Sequence, residues 1–493
     1  MPTKRTSVAL HYAIAIPMFC GISPHYPRVC GQLVSRGAVR ATKLCWESQQ
    51  GYATLWSGIV SVSVQAYKAV VKRQLFDWSF CSPLRVAVSA GLYVMYWLKG
   101  GSGREASFPL LLQAHRYAAG KWGTSHYCKL IKKHLYSWLA VSAPKMRGTL
   151  SEGRMLSFRS RTLVLKPPRF EGDSIAEPGV LFTKTFGELA MLVDLPKLLA
   201  HYRLVIEPGW SGYADPVLLY YCHFETHPII VCAPEKTDYE FLQQLGTNLI
   251  PVCFGASDWV NPEVFYPIPG LEKRYDAVMV AGWAVYKRHH ALFRALQRLR
   301  HTDIRVALLG FEWEGSREEI ELLIDYYGIR NHLHIFQSLP PPEVNRILNQ
   351  SKVNLILTLR EGANKSIFEG FFADVPGIVL RNNIGINKDY INESTGRLIE
   401  ERELPEVLLW FREHYRDFRP REWAMRHISP QATTAKLNAV LRDIAQQRGE
   451  PWTRDIVAKT NCPHPMYYPD ASVAEGFPTV DDILRQYGRC KDG

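Results

Sequence analysis

Two glutamates eight positions apart, Glu361 and Glu369, lie in the stretch LTLREGANKSIFEGFFADVPGIVL. An ionised carboxylate only accepts hydrogen bonds, so each could hold a pair of sugar hydroxyls, while a helix start between them would offer backbone amides to phosphate. A molecule with diols at both ends and a pyrophosphate between them, a nucleotide sugar, satisfies all three features. Two plainer readings remain open here: a solvated loop acid with a satisfied helix acid, or a pair of glycosidase-type carboxylates.

The elements that must position this pair are legible. VNLILTL is a continuous apolar run, the pattern of a strand covered on both faces. After the loop Arg360 to Asn364, Phe368, Phe371 and Phe372 fall at helical spacing and form a core stripe. Similar runs recur at GVLFT (179–183), YRLVIEP (202–208), PIIVCAP (228–234) and NLIPVCF (248–254), and again in DAVMVAG, IRVALLG, LHIFQS and GIVL. The Pro-rich connector NPEVFYPIPGLEKRY (261–275) separates the two series. Two lobes, each a parallel sheet flanked by helices, are expected, with ligands at the carboxyl ends of the strands.

EGANKSIFE resembles the E-x7-E signature of group-1 retaining glycosyltransferases with the GT-B fold. VMVAGWAVYKRHHALFRALQRLR (278–300) resembles the first strand, glycine turn and cationic loop of the same lobe. The resemblance spans about residues 178–430. It implies two Rossmann-like, doubly wound lobes facing a cleft, a nucleotide diphosphate sugar held mainly by the second lobe, and no required metal or other cofactor. Carried over, Glu361 contacts the donor sugar and Lys287 binds the pyrophosphate, the two taken as the catalytic pair, while Glu369 holds the ribose. Gly282, Arg288, Gly362, Ala363, Asn364 and Lys365 complete the donor site. Many relatives carry an arginine directly after the glycine, where this chain has Trp283, which leaves open whether Lys287 acts alone, with Arg288 or with Arg360. Asp374 stands where glycine is common.

In the first lobe FTKTFGE and EPGWSGYADP follow strands, and Lys184, Thr185, Trp210 and Asp215 are the acceptor-side candidates. Asp215 before Pro216 also fits a helix cap. His289 and His290 open a helix, but no third ligand is near in sequence and no metal is expected.

The chain has 493 residues and a formal charge of +12. Residues 1–170 hold 24 lysines and arginines against four acids, so the basic excess is confined to the first third. Its aromatics (Tyr52, Trp56, Tyr93, Tyr96, Trp97, Trp122, Tyr127, Tyr136, Trp138) alternate with cations such as Lys129, Lys132 and Lys133, a pattern suited to an anionic membrane surface. A helical extension packed on the lobes and a nucleic-acid surface are the alternatives, and nucleic acid is the least favoured. Ten dispersed cysteines without a CxxC pair fit a reduced cytoplasmic setting, peripheral on the inner membrane face, and the apolar stretches are shorter than a membrane span.

The expected organisation is a basic helical extension (1–170), an acceptor-side lobe (171–268), a donor-side lobe (269–430) and a helical tail bracing both (431–493). The expected function is transfer of a hexose from a nucleotide diphosphate sugar to a hydroxyl of a glycan, lipid-linked or envelope polysaccharide acceptor, with retention. A sugar-nucleotide epimerase or a catalytically silent GT-B binding or scaffold protein are the alternatives.

Overall fold

The computed structural model describes residues 64–80, 82–100, 107–118, 150–213, 215–362, 364–461 and 465–489. Ala363 and the basic, aromatic stretches at 1–63 and 119–149 lie outside the described residues.

The first lobe is a five-stranded sheet of β1 (Thr162–Lys166), β2 (Gly179–Thr183), β3 (Tyr202–Ile206), β4 (Ile229–Cys232) and β5 (Leu249–Val252). The strands lie side by side in chain order, with β1 antiparallel to β2 and the others parallel. This sheet begins at Thr162, inside the stretch read as an extension ending near residue 170. β1 is an antiparallel edge strand joined through a short hairpin, which apolar-run counting from 178 onward does not detect.

The second lobe contains β6 (Ala277–Val280), β7 (Val306–Gly310), β8 (Leu333–Gln337), β9 (Asn354–Ile356), β10 (Gly377–Leu380) and β11 (Gly396–Ile399). Their order is β8-β7-β6-β9-β10-β11 and every pairing is parallel, so the strand order reverses between β6 and β9. That reversal opens a crevice at the carboxyl ends of β6 and β9, where the glycine turn and the glutamate loop both emerge.

Successive strands wound in one direction leave one face of the first sheet without crossover helices. That face is covered by the tail: Leu437, Leu441 and Ile444 of helix Pro430–Gln447 pack on Leu165, Val180, Phe182, Val205 and Ile230. On the opposite face, Ile483 and Tyr487 of helix Val480–Tyr487 join the core of Leu181, Leu204 and Val231. Each fully buried side chain of this kind contributes about 1.5–3 kcal/mol.

Before the helix Glu152–Ser160 that leads into β1, the described residues form three helices, α1 (Val64–Ser79), α2 (Ser82–Leu98) and α3 (Phe108–Ala118). They divide between the lobes. Ala69 and Val70 of α1 enter the second lobe's core beside Ala277, Leu292 and Leu323. Leu92 and Tyr96 of α2, and Leu111, Leu112 and Ala114 of α3, enter the first lobe's core. Tyr96 is therefore a core residue with no exposed surface, whereas Trp97 next to it remains about half exposed. The interfacial reading of Tyr96 is corrected accordingly: its face of α2 packs on the first lobe. Among the described residues no helix is long and apolar enough to cross a membrane.

Candidate functional site

The glutamate loop is built by the helix that follows it, α4 (Ser366–Phe372). Asn364 starts the helix: its Oδ1 accepts from the amide of Ile367 at 3.2 Å and from Ser366 Oγ at 2.9 Å. Gly370 lets the helix lie close on β9, because a Cβ there would sit 2.9 Å from Asn354 Nδ2. After the helix, Asp374 adopts φ 59°, the left-handed conformation that glycine takes at least cost. Its Oδ1 accepts from the amide of Arg421 at 3.2 Å, a contact glycine could not make.

Glu361 and Lys287 meet. The Lys287 ammonium pairs with the Glu361 carboxylate, which also accepts from Asn364 Nδ2. Lys287 ends the turn Val285–Lys287 after β6, so the two loops at the crevice are joined by an ion pair across 74 positions of sequence. Glu361 is buried while Lys287 remains partly exposed.

Glu369 is buried one turn inside α4. Desolvation pushes its carboxyl up to about 7, against the pull of Lys365. Lys365 is shifted the opposite way, down to about 7, first by desolvation and then by Lys184. A carboxyl held near neutrality in a buried place suits neutral hydroxyl partners, since each hydroxyl it accepts from replaces lost water.

The first lobe closes on this loop. A Cβ on Gly362 would overlap the carbonyl of Gly209. Arg360 Nη2 donates to Ser211 O at 3.0 Å, and Ser257 Oγ donates to Asn364 O at 3.1 Å. Trp210 of the first lobe meets Tyr286 of the second edge to face, with ring centres 5.6 Å apart, and keeps nearly half of its surface exposed at the rim. Arg360 is thus engaged in lobe contact.

Several expected ligand residues are occupied elsewhere. Arg288, at φ 57°, places its side chain in a buried network with Asp77 and Glu401, and its Nη1 donates to Leu357 O at 3.0 Å. It is only 2 % exposed, its guanidinium taken up by this network. Trp283 has no exposed surface and fills the space above Gly310. Gly282 itself faces the Phe311 ring, which a Cβ would meet at 3.3 Å. Asp215 caps a helix, accepting from the amides of Val217 at 2.9 Å and Leu218 at 3.2 Å. Thr185 lies among the hydroxyls of Thr162 and Thr183 at 3.4 and 3.3 Å. Asp215 and Thr185, two of the four acceptor-side candidates, are thus engaged in local structure.

Lys184 is ion-paired with buried Glu207 at 3.2 Å. The other partner of Glu207 is Lys459, 3.4 Å away, from the tail. Lys459 was not legible as a site residue, because it stands in an irregular stretch, DIVAKTNC, with no motif around it. His289 is buried against Trp283, and burial lowers its pKa to about 3. Among the described residues no group of three or more His, Cys, Asp or Glu side chains could hold a metal ion.

Residues 266–409, most of the second lobe, match the family described as glycosyl transferases group 1, and the two doubly wound lobes have the GT-B arrangement. Similar solved structures include TarM (16% identity, TM-score 0.40, covering 50% of this chain and 52% of TarM). Sucrose-phosphate synthase from Thermosynechococcus elongatus has 14% identity, a TM-score of 0.41 and coverage of 50% and 69%. HepE from Anabaena, solved with UDP and glucose, has 12% identity, a TM-score of 0.41 and coverage of 55% and 78%. The chain spans about half the length of TarM. No curated protein matches the sequence.

Proposed function

We propose that the protein is a retaining glycosyltransferase that moves a hexose from a nucleotide diphosphate sugar to a hydroxyl of a carbohydrate or lipid-linked acceptor. The observation that carries this reading is the joining of Lys287 and Glu361 at the switch point of the second sheet, with Glu369 one helix turn behind them. In the reaction, Glu369 accepts from the ribose hydroxyls and Glu361 from hydroxyls of the donor sugar. Lys287 then swings from Glu361 to the diphosphate and offsets the charge that builds on the leaving nucleotide. The bond from anomeric carbon to phosphate oxygen breaks, the acceptor oxygen bonds to the same carbon, and the departing phosphate takes the acceptor's proton. No metal enters this scheme, because ammonium groups supply the positive charge. Trp210, exposed at the rim, offers a face on which an acceptor sugar can stack.

The test is release of nucleoside diphosphate from UDP-, GDP-, ADP- and TDP-hexoses, with and without oligosaccharide or lipid-linked acceptors. Lys287→Met and Glu361→Gln should each lower kcat by about a hundredfold with retained folding. Turnover of every sugar nucleotide without any acceptor, giving an altered sugar still on its nucleotide, would replace this reading with epimerisation.

A further inference from the structure

The first-lobe loop that meets the glutamate loop has little of its own to fix its shape. Residues 207–213 follow β3 and read EPGWSGY, with two glycines among seven residues. Trp210 is nearly half exposed, while Tyr213 enters the first lobe's apolar core. Yet this loop carries most of the contact between the lobes at the site. The Gly209 carbonyl lies against Gly362, Ser211 O accepts from Arg360 Nη2 at 3.0 Å, and Trp210 meets Tyr286 edge to face.

One buried side chain holds the loop. Gly212 takes φ 96°, a conformation open to glycine at least cost, and two successive amides turn toward the Asp238 carboxylate. Gly212 N donates to Asp238 Oδ2 at 2.7 Å and to Oδ1 at 3.0 Å, and Tyr213 N donates to Oδ1 at 2.8 Å. The Tyr213 hydroxyl donates to Cys232 O at 2.7 Å, which fixes the far end of the ring. Asp238 stands in the first turn of helix Lys236–Leu245, whose cap is Glu235, accepting from the Asp238 amide at 3.1 Å. Because Glu235 caps the helix, the Asp238 carboxylate is given over to the loop. Local stability alone does not call for a carboxylate there: burial pushes it up to about 6 despite the two amides, a cost that a neutral acceptor avoids. An ionised acceptor holds the two amides more strongly. Glu235, on its own helix, opposes the charge, and Arg360, from the second lobe, favours it. Tyr213, which also faces Glu207 and Cys232, stays a neutral phenol because burial raises it.

We infer that Asp238 is a positioning residue for the transfer reaction: its carboxylate clamps the amides of Gly212 and Tyr213, so that Gly209, Trp210 and Ser211 are presented to the second lobe in one arrangement and the acceptor meets Trp210 in a fixed place. The inference rests on the transferase reading and adds to it the group that sets the acceptor side of the site. Asp238 touches no substrate in this scheme and acts through the loop alone.

The experiment is amide hydrogen exchange read by mass spectrometry, paired with steady-state kinetics, on the full chain as wild type and as Asp238→Asn. In the wild type, protection of the peptide spanning 207–213, corrected for intrinsic exchange, should fall by about tenfold between pH 7.5 and pH 5, as the carboxylate takes up its proton. Asp238→Asn should show the lower protection at both pH values, with the peptide of β3 unchanged. In turnover at pH 7.5 the variant should lose about tenfold in kcat/KM for the acceptor while the KM for the sugar nucleotide stays within about twofold. Wild-type protection of the loop in Asp238→Asn would overturn the inference, as would lost protection with unchanged acceptor kinetics, or an equal loss for donor and acceptor. Exchange needs no substrate, so a missing clamp is told apart from a missing transferase activity. Should the variant not melt cooperatively, the wild type decides: loop protection that is the same at pH 7.5 and pH 5 overturns the inference.

Discussion

The Asp77 carboxylate accepts from Arg288 Nε at 2.7 Å and from Arg288 Nη2 at 2.9 Å, tying helix α1 to the residue that follows Lys287. The same carboxylate also meets His290 at 2.9 Å and Arg294 at 3.3 Å. One acid of the basic first third thus anchors the loop that carries the cleft lysine, while α2 and α3 hold the other lobe. Asp77→Ala should leave Arg288 buried with Glu401 as its remaining carboxylate. A loss of about 2 kcal/mol is expected, below the 3–5 of a fully broken buried pair because Glu401 stays. Chemical denaturation should show a lower midpoint, and limited proteolysis should cut before α2 more readily than in the wild type.

Glu369→Gln should stabilise the ligand-free protein at pH 8. Its folded pKa, about 7, lies above the ordinary glutamate value, so the folded state binds the proton more tightly than the unfolded chain. That contribution is fully present below about pH 4 and is lost as pH rises through 7. An uncharged isostere avoids the loss, worth on the order of 2–3 kcal/mol at pH 8. The same substitution should weaken nucleotide binding, since the amide exchanges one acceptor for a donor. Melting curves at pH 5 and pH 8 check the first statement: the variant's advantage should appear only at the higher pH.

His289 predicts the opposite slope. Its folded pKa, about 3, lies well below the free value near 6.5, because burial disfavours the charged ring. Stability is therefore lost as pH falls from about 6.5 toward 3. By pH 5 the loss from this residue is about 2 kcal/mol. Carboxyls raised by burial, Asp238, Asp258 and Glu369, act with the opposite sign over part of this range, so the comparison must be made against a variant. Between pH 7 and pH 5, His289→Phe should lose about 2 kcal/mol less stability than the wild type, measured by urea unfolding.

Gly362→Ala tests closure of the cleft. The added methyl would overlap the Gly209 carbonyl across the lobe interface, with no flexible side chain to yield. Both cores lie away from this contact, so thermal stability should change little while turnover falls by at least about tenfold. Small-angle scattering should report a larger radius of gyration than the wild type. Wild-type turnover in the alanine variant would mean that the close approach of Gly362 to Gly209 plays no part in catalysis.

The second lobe was readable because its central strands are covered on both faces and appear as unbroken apolar runs, as in VNLILTL before Glu361. Edge strand β1 is short and antiparallel, and it carries Lys166 in a buried pair with Glu177, so its pattern resembles a loop. The glutamate spacing was legible because both residues belong to one local loop and helix. The fate of Arg288 was not, since its partner Asp77 lies 211 positions away and no periodicity reports such a pairing. Lys459 and Glu207 are likewise brought together across 252 positions by the return of the tail over the first sheet. Asp215, by contrast, shows in sequence the cap that it forms, because a cap is decided within three residues.

The most direct measurement is a thermal-shift panel of UDP, GDP, ADP and TDP on the wild type and on Glu369→Ala. A ligand that binds only the folded protein stabilises it by about 2.7 kcal/mol at 100 times its dissociation constant. One nucleotide should raise the melting midpoint of the wild type by several degrees, with the shift lost in the variant. No shift by any of the four at millimolar concentration, or a shift that survives Glu369→Ala, would contradict the donor site proposed for the second lobe.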